Sequence, residues 1–208
     1  MSTWSQTTLW REAKRLRAAS NRPTPLPPLW FLTDASRVRD PVTVANHLPA
    51  GTGIILRDYD LPSRRELAMD LLGVARAREL MLLIGKDEDL CLAVQADGLH
   101  LPEGLMDEAP ALRHRHPDIF ITAAAHGLGA LGRAARAGVD AAFLSPVFAT
   151  QSHAGAPCLG PIRAARMARQ AALPVFALGG IDRHSVRRLQ GGAFSGVGAI
   201  GALATASG

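Results

Sequence analysis

The sequence predicts a (β/α)8 TIM barrel preceded by one extra N-terminal helix. Three observations lead there. From residue 29 onward, eight short apolar runs are separated by seven longer amphipathic stretches, and strand–helix alternation of this kind implies a parallel sheet. The joints between them recur: VQADGLHL (94–101), RAGVDAAFL (136–144) and QGGAFSGVG (190–198) each pass from a helix end through small residues into a strand. Recurrence suits a cyclic barrel better than an open doubly wound sheet, which is the alternative. Finally, 208 residues suit one domain that can bury a full core without disulfide or metal staples. The barrel then spans about 180 residues, short for this fold.

Residues 1–28 stand outside the alternation. TTLWREAKRLRAASN places Leu9, Trp10, Ala13 and Leu16 on one helical face, and RPTPLPP stops the helix. The chain thus divides into a helical extension with a Pro-rich linker (1–28) and a barrel (29–208). The extension is expected to pack on the bottom or side of the barrel; a partner-binding arm is the alternative. The expected strands are 29–33, 52–57, 80–84, 98–101, 119–123, 141–144, 175–178 and 195–199. The expected helices are 41–48, 63–77, 87–94, 106–114, 128–137, 162–171 and 183–190, each rich in Ala, Leu and Arg at helical spacing.

Composition excludes several functions. Apolar residues make up 48% and charged ones 20%, with Gly and Pro spread along the chain, a folded rather than disordered profile. Cys91 and Cys158 have no motif spacing, which fits a reducing compartment. No apolar run approaches a bilayer span, and the start (Trp4, Arg11, Glu12, Lys14) lacks a signal-peptide core, so a cytoplasmic protein without a membrane partner is expected. The pI of 10.2 invites a nucleic-acid reading. Yet the only lysines are Lys14 and Lys86, and the arginines are scattered as Arg64–Arg65, Arg76/Arg78, Arg113/Arg115 and Arg187–Arg188. Without a basic stripe interleaved with stacking rings, no nucleic-acid partner is expected. A homo-oligomer is compatible with the sequence.

In a parallel barrel the working residues gather at the C-terminal ends of strands. Three loops qualify. SPVFATQSH (145–153) leaves strand six with Thr150, Gln151, Ser152 and His153 facing the mouth. PVFALGGI (174–181) ends strand seven on Gly179–Gly180, whose backbone amides can approach an anion where a helix is expected to begin. GVGAIGAL (196–203) follows strand eight, and loops seven and eight are the usual phosphate grip of such barrels. Residues 196–201 also spell G-x-G-x-x-G, but only seven residues follow, with no βαβ unit and no acidic partner. As a dinucleotide signal the match is accidental. The glycine loops predict that Gly180→Val abolishes phosphate-ligand binding with little effect on folding.

With these loops in place, the chain resembles the thiamine phosphate synthase/TenI family over about residues 29–203. WFLTD (30–34) resembles the family's opening strand, ILRDY (55–59) its Gln-Leu-Arg-Glu-Lys segment, and ADGLHL (96–101) its Ala-Asp-Gly-Val-His-Leu. SPVFATQSH is similar to Gly-Pro-Val-Phe-Pro-Thr-x-Thr/Ser-Lys, and PVFALGGI to Pro-Val-x-Ala-Ile-Gly-Gly-Ile. The resemblance implies a small phosphorylated heterocycle as ligand. It would place a thiazole phosphate against Thr150, Gln151, Ser152, Gly180, Ile200 and Gly201, and Arg57 at pyrophosphate, where a planar fork suits the oxygens.

The departures are as informative. The two aspartates that hold Mg²⁺ in family synthases correspond to Lys86 (in IGKDE, 84–88) and Leu105 (in LPEGL, 101–105). A hard divalent cation wants oxygen ligands, which neither supplies. Asp87 or Glu103 would serve only after a register change. The family's glutamine is Ile55, its lysine after strand two is Tyr59, and its strand-six-loop lysine is His153. No metal or cofactor is therefore expected; magnesium is called for only by the synthase reading. ITAAAHG (121–127) places His126 where TenI proteins carry a histidine implicated in thiazole tautomerisation, with Ala124 at the family's serine. An imidazole titrates near neutrality, as such a proton transfer needs. His100 reads as a barrel-rim residue, and His114 and His116 as a basic helix end. Cys158 has no nameable base partner. Three functions remain: a TenI-like tautomerase using His126, a thiamine phosphate synthase with displaced metal ligands, and a non-catalytic phosphate-binding or scaffold protein.

Overall fold

A computed structural model describes residues 3–150, 157–189 and 191–204. Eight parallel strands close into a barrel, with the last hydrogen-bonded back onto the first. They are β1 (Leu29–Leu32), β2 (Gly53–Leu56), β3 (Met81–Gly85), β4 (Gly98–Leu101), β5 (Phe120–Ala125), β6 (Ala141–Leu144), β7 (Val175–Ala177) and β8 (Gly196–Ala199). Closure settles the choice between barrel and open sheet. Nearly every strand residue is buried, because helices cover the outer face and side chains fill the inner one. That is why the strands read as unbroken apolar runs rather than alternating ones.

The interior is filled by a few large rings. Trp30 of β1 is in register with Gly53 of β2 on one side and Gly198 of β8 on the other. Its indole lies over Gly53 so closely that a Cβ there would stand 2.2 Å from the ring. Trp30 meets Phe143 and Phe176 edge-on at 5.6 and 6.2 Å, and those two stack at 5.1 Å. Each such aromatic pair contributes about 0.5–1.5 kcal/mol beyond area burial. The Trp30 Nε1 donor is buried without a hydrogen-bond partner among the described residues, so this ring is held by packing alone.

The outer layer comprises α2 (Pro41–His47), α3 (Arg64–Ala77), α4 (Glu88–Val94), α5 (Ala109–Arg115), α6 (Leu128–Arg136) and α7 (Pro161–Gln170). Asp40 and Asp87 cap α2 and α4, accepting from the backbone N–H of Thr43 and Leu90 at 2.9 Å each. Two expected helices are corrected. The stretch 106–114 divides into a 3₁₀ segment, Glu103–Glu108, and α5, because Pro110 is tolerated only in the first turn of a helix and forces a restart. Of the stretch 183–190, the described residues 183–189 contain only the 3₁₀ turn Ser185–Arg188. There Asp182 accepts from the N–H groups of His184 and Ser185, tightening the entry into a short turn.

The N-terminal helix α1 (Thr3–Ala19) packs against β1, β8, the turn Ser185–Arg188 and α8 (Gly201–Ala204). Leu9, Ala13 and Leu16 are fully buried, and Trp10 packs against the same core. The ends are tied down by polar contacts. Gln6 Nε2 donates to the carbonyl of Leu203 at 3.1 Å, and the Arg17 guanidinium donates to the carbonyls of Thr24 and Leu26. Through these contacts α1 covers the β8–β1 seam. Leu16→Ala should therefore cost about 2–5 kcal/mol of unfolding free energy, read by urea denaturation. A cost near zero would mean that α1 is a loosely attached arm.

Candidate functional site

The C-terminal ends of β1, β2, β6, β7 and β8 border a cleft of about 430 Å³. Arg57, Thr150, Gly179, Gly180, Ile200 and Gly201 all line it, so the structure brings together expected residues from four separate loops. Gln151, Ser152 and His153 lie outside the described residues.

Local backbone constraints shape this wall. Gly179 and Gly180 have φ of +91° and +62°, a region that favours glycine. A Cβ on Gly179 would stand 2.8 Å from Pro146 Cα, and one on Gly180 2.4 Å from the Ala149 carbonyl oxygen. The loop after β6 is stitched onto the end of β7, the N–H groups of Val147 and Phe148 donating to the carbonyls of Leu178 and Gly179. This corrects the expectation for Gly180→Val: the side chain would meet backbone, so the substitution would disturb folding as well as the cleft. A second correction concerns the helix expected right after Gly180. The first helical residues are those of the 3₁₀ turn at Ser185, and what meets Gly180 is the Ser185 hydroxyl, donating to its carbonyl at 2.8 Å.

Two charged lining residues, Arg37 and Asp182, were not singled out from the sequence. Arg37, in the loop after β1, faces the cleft alongside Arg57. Asp34 accepts from Arg37 Nε and Nη2 at 2.9 and 2.5 Å and lies 3.9 Å from Arg57. Burial works to raise the Asp34 carboxyl. Hydrogen bonds from Ser36 and Arg37, and the charges of Arg37 and Arg57, outweigh it and hold the group below the usual range. The local signal was the i,i+3 spacing of Asp34 and Arg37, an ion pair in a strand-end loop. Asp182 accepts from the N–H groups of His184 and Ser185 at the entry to the 3₁₀ turn, and Ser145, at the start of the expected loop, lines the cleft as well. With two guanidiniums and the backbone of Gly180 and Ile200–Gly201 around an apolar floor, the cleft is suited to a small anion carrying an apolar ring.

His126 follows directly on β5, which runs to Ala125, and is not a lining residue of the cleft. It joins the cleft through Ser145, whose carbonyl oxygen lies 2.9 Å from His126 Nδ1 and whose hydroxyl lies 3.3 Å from it. His100 occupies the barrel interior, edge-on to Phe143 at 5.3 Å, with Nδ1 3.0 Å from the Thr122 hydroxyl. Burial, helped by the charge of Arg57, pushes its pKa down to about 3. His116 and Arg115 pair with Glu88, as suits a basic helix end.

The β2–β4 side of the mouth is occupied by its own contacts. Arg64 is buried, pairs with Asp87 at 2.8 Å and donates to the Gly85 carbonyl at 2.6 Å. Tyr59 packs beside it, with the guanidinium 5.7 Å from its ring. Asp87 is thus both helix cap and ion-pair partner. Glu103 accepts from Arg133 at 2.7 Å and from the His126 N–H at 2.8 Å. Lys86 is exposed, and its N–H donates to the His100 carbonyl. Among the described residues no group of three or more His, Cys, Asp and Glu side chains could hold a metal ion. For Asp87 or Glu103 to ligate magnesium, each would have to give up its arginine partner.

Fold and site define a (β/α)8 barrel with its cleft at the C-terminal mouth, beside loops seven and eight. Within that class, a family model described as thiamine monophosphate synthase matches residues 29–203, and the chain belongs to that family. It is 31% identical to the putative thiamine-phosphate synthase 2 of Aquifex aeolicus over 167 residues, 78% of this chain and 89% of that one. It is 33% identical to the thiamine-phosphate synthase of Herpetosiphon aurantiacus over 175 residues, 81% of this chain and 84% of that one. The solved thiamine phosphate pyrophosphorylase from Pyrococcus furiosus superposes with a TM-score of 0.72 at 24% identity, covering 85% and 87% of the two chains, and shows the fold.

Two tests address the site itself. Gly201 borders the cleft, and a Cβ there meets nothing within 4 Å. Gly201→Leu should lower inorganic phosphate affinity at least about tenfold, some 1.4 kcal/mol, at an unchanged melting temperature; calorimetry and thermal unfolding read the two. For His100, the unfolded state takes up a proton near pH 6.5 and the folded state only near pH 3. Stability from this residue is complete above pH 6.5 and falls by about 1.4 kcal/mol per pH unit below it. Urea unfolding from pH 7 to 4 should show that slope relative to His100→Asn.

Proposed function

We propose that the protein binds a thiazole phosphate, or a similarly small phosphorylated heterocycle, and moves a proton on its ring using His126. The observation that carries this reading is the division of the mouth. The β6–β8 and Arg57 side keeps an open cleft, whereas Arg64, Asp87 and Glu103 are committed to structural pairs where a metal pyrophosphate would need ligands. The phosphate would sit against Gly180, Ile200 and Gly201, with Arg57 and Thr150 beside it. An isomerisation takes a proton from one ring position and returns one to another, so it needs a base that becomes the acid and no net oxidant or metal. Imidazole does both near neutral pH. A cytoplasmic location accords with this reading; no helix among the described residues is long and apolar enough to cross a membrane.

Family membership favours a second reading. The relatives are named as thiamine-phosphate synthases, so joining a pyrimidine diphosphate to a thiazole phosphate is the rival chemistry. Both are tested with purified protein. Aromatisation of a thiazole phosphate tautomer should occur without magnesium and fall at least about 100-fold in His126→Ala. Formation of thiamine phosphate from the two substrates, dependent on Mg²⁺ and unaffected by His126→Ala, would replace the first reading with the second. Phosphate-ligand binding with neither turnover would leave a binding protein.

A further inference from the structure

We propose that Ser145 is the positioning residue for His126: its carbonyl fixes the imidazole in the Nδ1–H form, and its hydroxyl ties the ring to the wall of the cleft. The inference rests on the reading of His126 as the proton-transfer group, but its physical content can be measured without that reaction.

The placement follows from the sheet. Ala125 of β5 is in register with Leu144 of β6, and the Ser145 N–H donates to the Ala125 carbonyl at 3.0 Å. The residues that follow, His126 and Ser145, therefore leave adjacent strands side by side. A carbonyl oxygen can only accept, so the 2.9 Å contact between Ser145 O and His126 Nδ1 requires a proton on Nδ1. In the neutral ring the lone pair then belongs to Nε2, which makes Nε2 the base. Imidazole tautomers are set in this way by the bond the other nitrogen makes. The backbone is pinned as well. Glu103 accepts the His126 N–H with one oxygen while its other oxygen holds Arg133.

The hydroxyl adds a second hold. Ser145 Oγ lies 3.3 Å from the same Nδ1 and can share its proton. Its own proton is then left for another acceptor, and Ser145 lines the cleft that His126 itself does not line. Ala124, on the strand leading to His126, offers no hydroxyl. Ser145 thus links the imidazole to the space a ligand ring would occupy.

The test is ¹⁵N NMR of the histidine-labelled full chain, with His126→Gln to assign the signal. Above about pH 8, where an imidazole is neutral, His126 should show a protonated Nδ1 and an unprotonated Nε2. The Nδ1 proton should exchange with water about fivefold faster in Ser145→Ala, the loss expected for one neutral hydrogen bond, and at the wild-type rate in Ser145→Thr. An Nε2–H tautomer, or equal exchange in wild type and Ser145→Ala, would overturn the proposal. If tautomer and exchange behave as stated while no thiazole isomerisation is found, the positioning stands and the functional reading alone falls.

Discussion

The fold depends on fitting one indole inside a small closed barrel. Trp30 occupies a level at which both neighbouring strands carry glycine, Gly53 and Gly198. Strands of three to six residues leave space for only a few large side chains, so this ring, with Phe143 and Phe176, supplies much of the filling. The same packing reaches upward to the site. Phe143 is the ring against which His100 stands, and a histidine enclosed by apolar rings cannot readily carry charge, which is why its pKa falls to about 3. Two residues beyond Phe143 the chain emerges as Ser145. A change in the core would therefore be felt at the mouth through a strand too short to absorb it.

Above the core, the mouth is divided by where the charges are spent. On the β2–β4 side two carboxylates are each committed to a cation: Asp87 holds Arg64, and Glu103 holds Arg133. Arg64 is itself buried and donates to the Gly85 carbonyl, so removing Asp87 would leave a guanidinium poorly compensated. On the cleft side Asp34 faces two guanidiniums, Arg37 and Arg57, and only the first is close enough for hydrogen bonding, while the Asp182 carboxylate, which also lines the cleft, accepts from the backbone N–H groups of His184 and Ser185. Arg57 retains field to offer an anion. The two ion pairs thus occupy one side of the mouth, and the two guanidiniums favour a negative ligand on the other.

Much of this was legible in the chain because each strand is buried on both faces and must be apolar throughout. The glycine loops were legible for a related reason: Gly179 and Gly180 adopt backbone angles that side chains resist, so their type reports their geometry. The pattern misled where a particular contact outvoted the periodic spacing. Residues 183–190 have helical spacing, yet the bonds from His184 and Ser185 to Asp182 leave only a short 3₁₀ turn. Arg37 was not singled out, because its i,i+3 spacing from Asp34 hints at an ion pair but not at a loop that turns it to the cleft beside Arg57. Ser145 stood in the expected mouth loop, but its contact with His126 could not be read, since the two are 19 residues apart and adjacent only through the sheet.

That adjacency gives the site its geometry. The loop from Ser145 to Thr150 touches both functional regions. At its start it accepts from His126, and further along it is bonded to the end of β7 beside Gly180. Leu159 and Gly160 donate to the carbonyls of Pro146 and Val147, closing the loop from its far side. A ligand seated by its phosphate at Gly180 would thus be held against the same rigid segment that orients the imidazole. The proton transfer proposed for His126 would tolerate little misplacement of donor and acceptor, and this arrangement would tie both to one piece of backbone. The extra helix contributes indirectly. By covering the β8–β1 seam it keeps the strand before Ile200–Gly201 in place, so the far edge of the cleft is fixed by residues that precede the barrel in sequence.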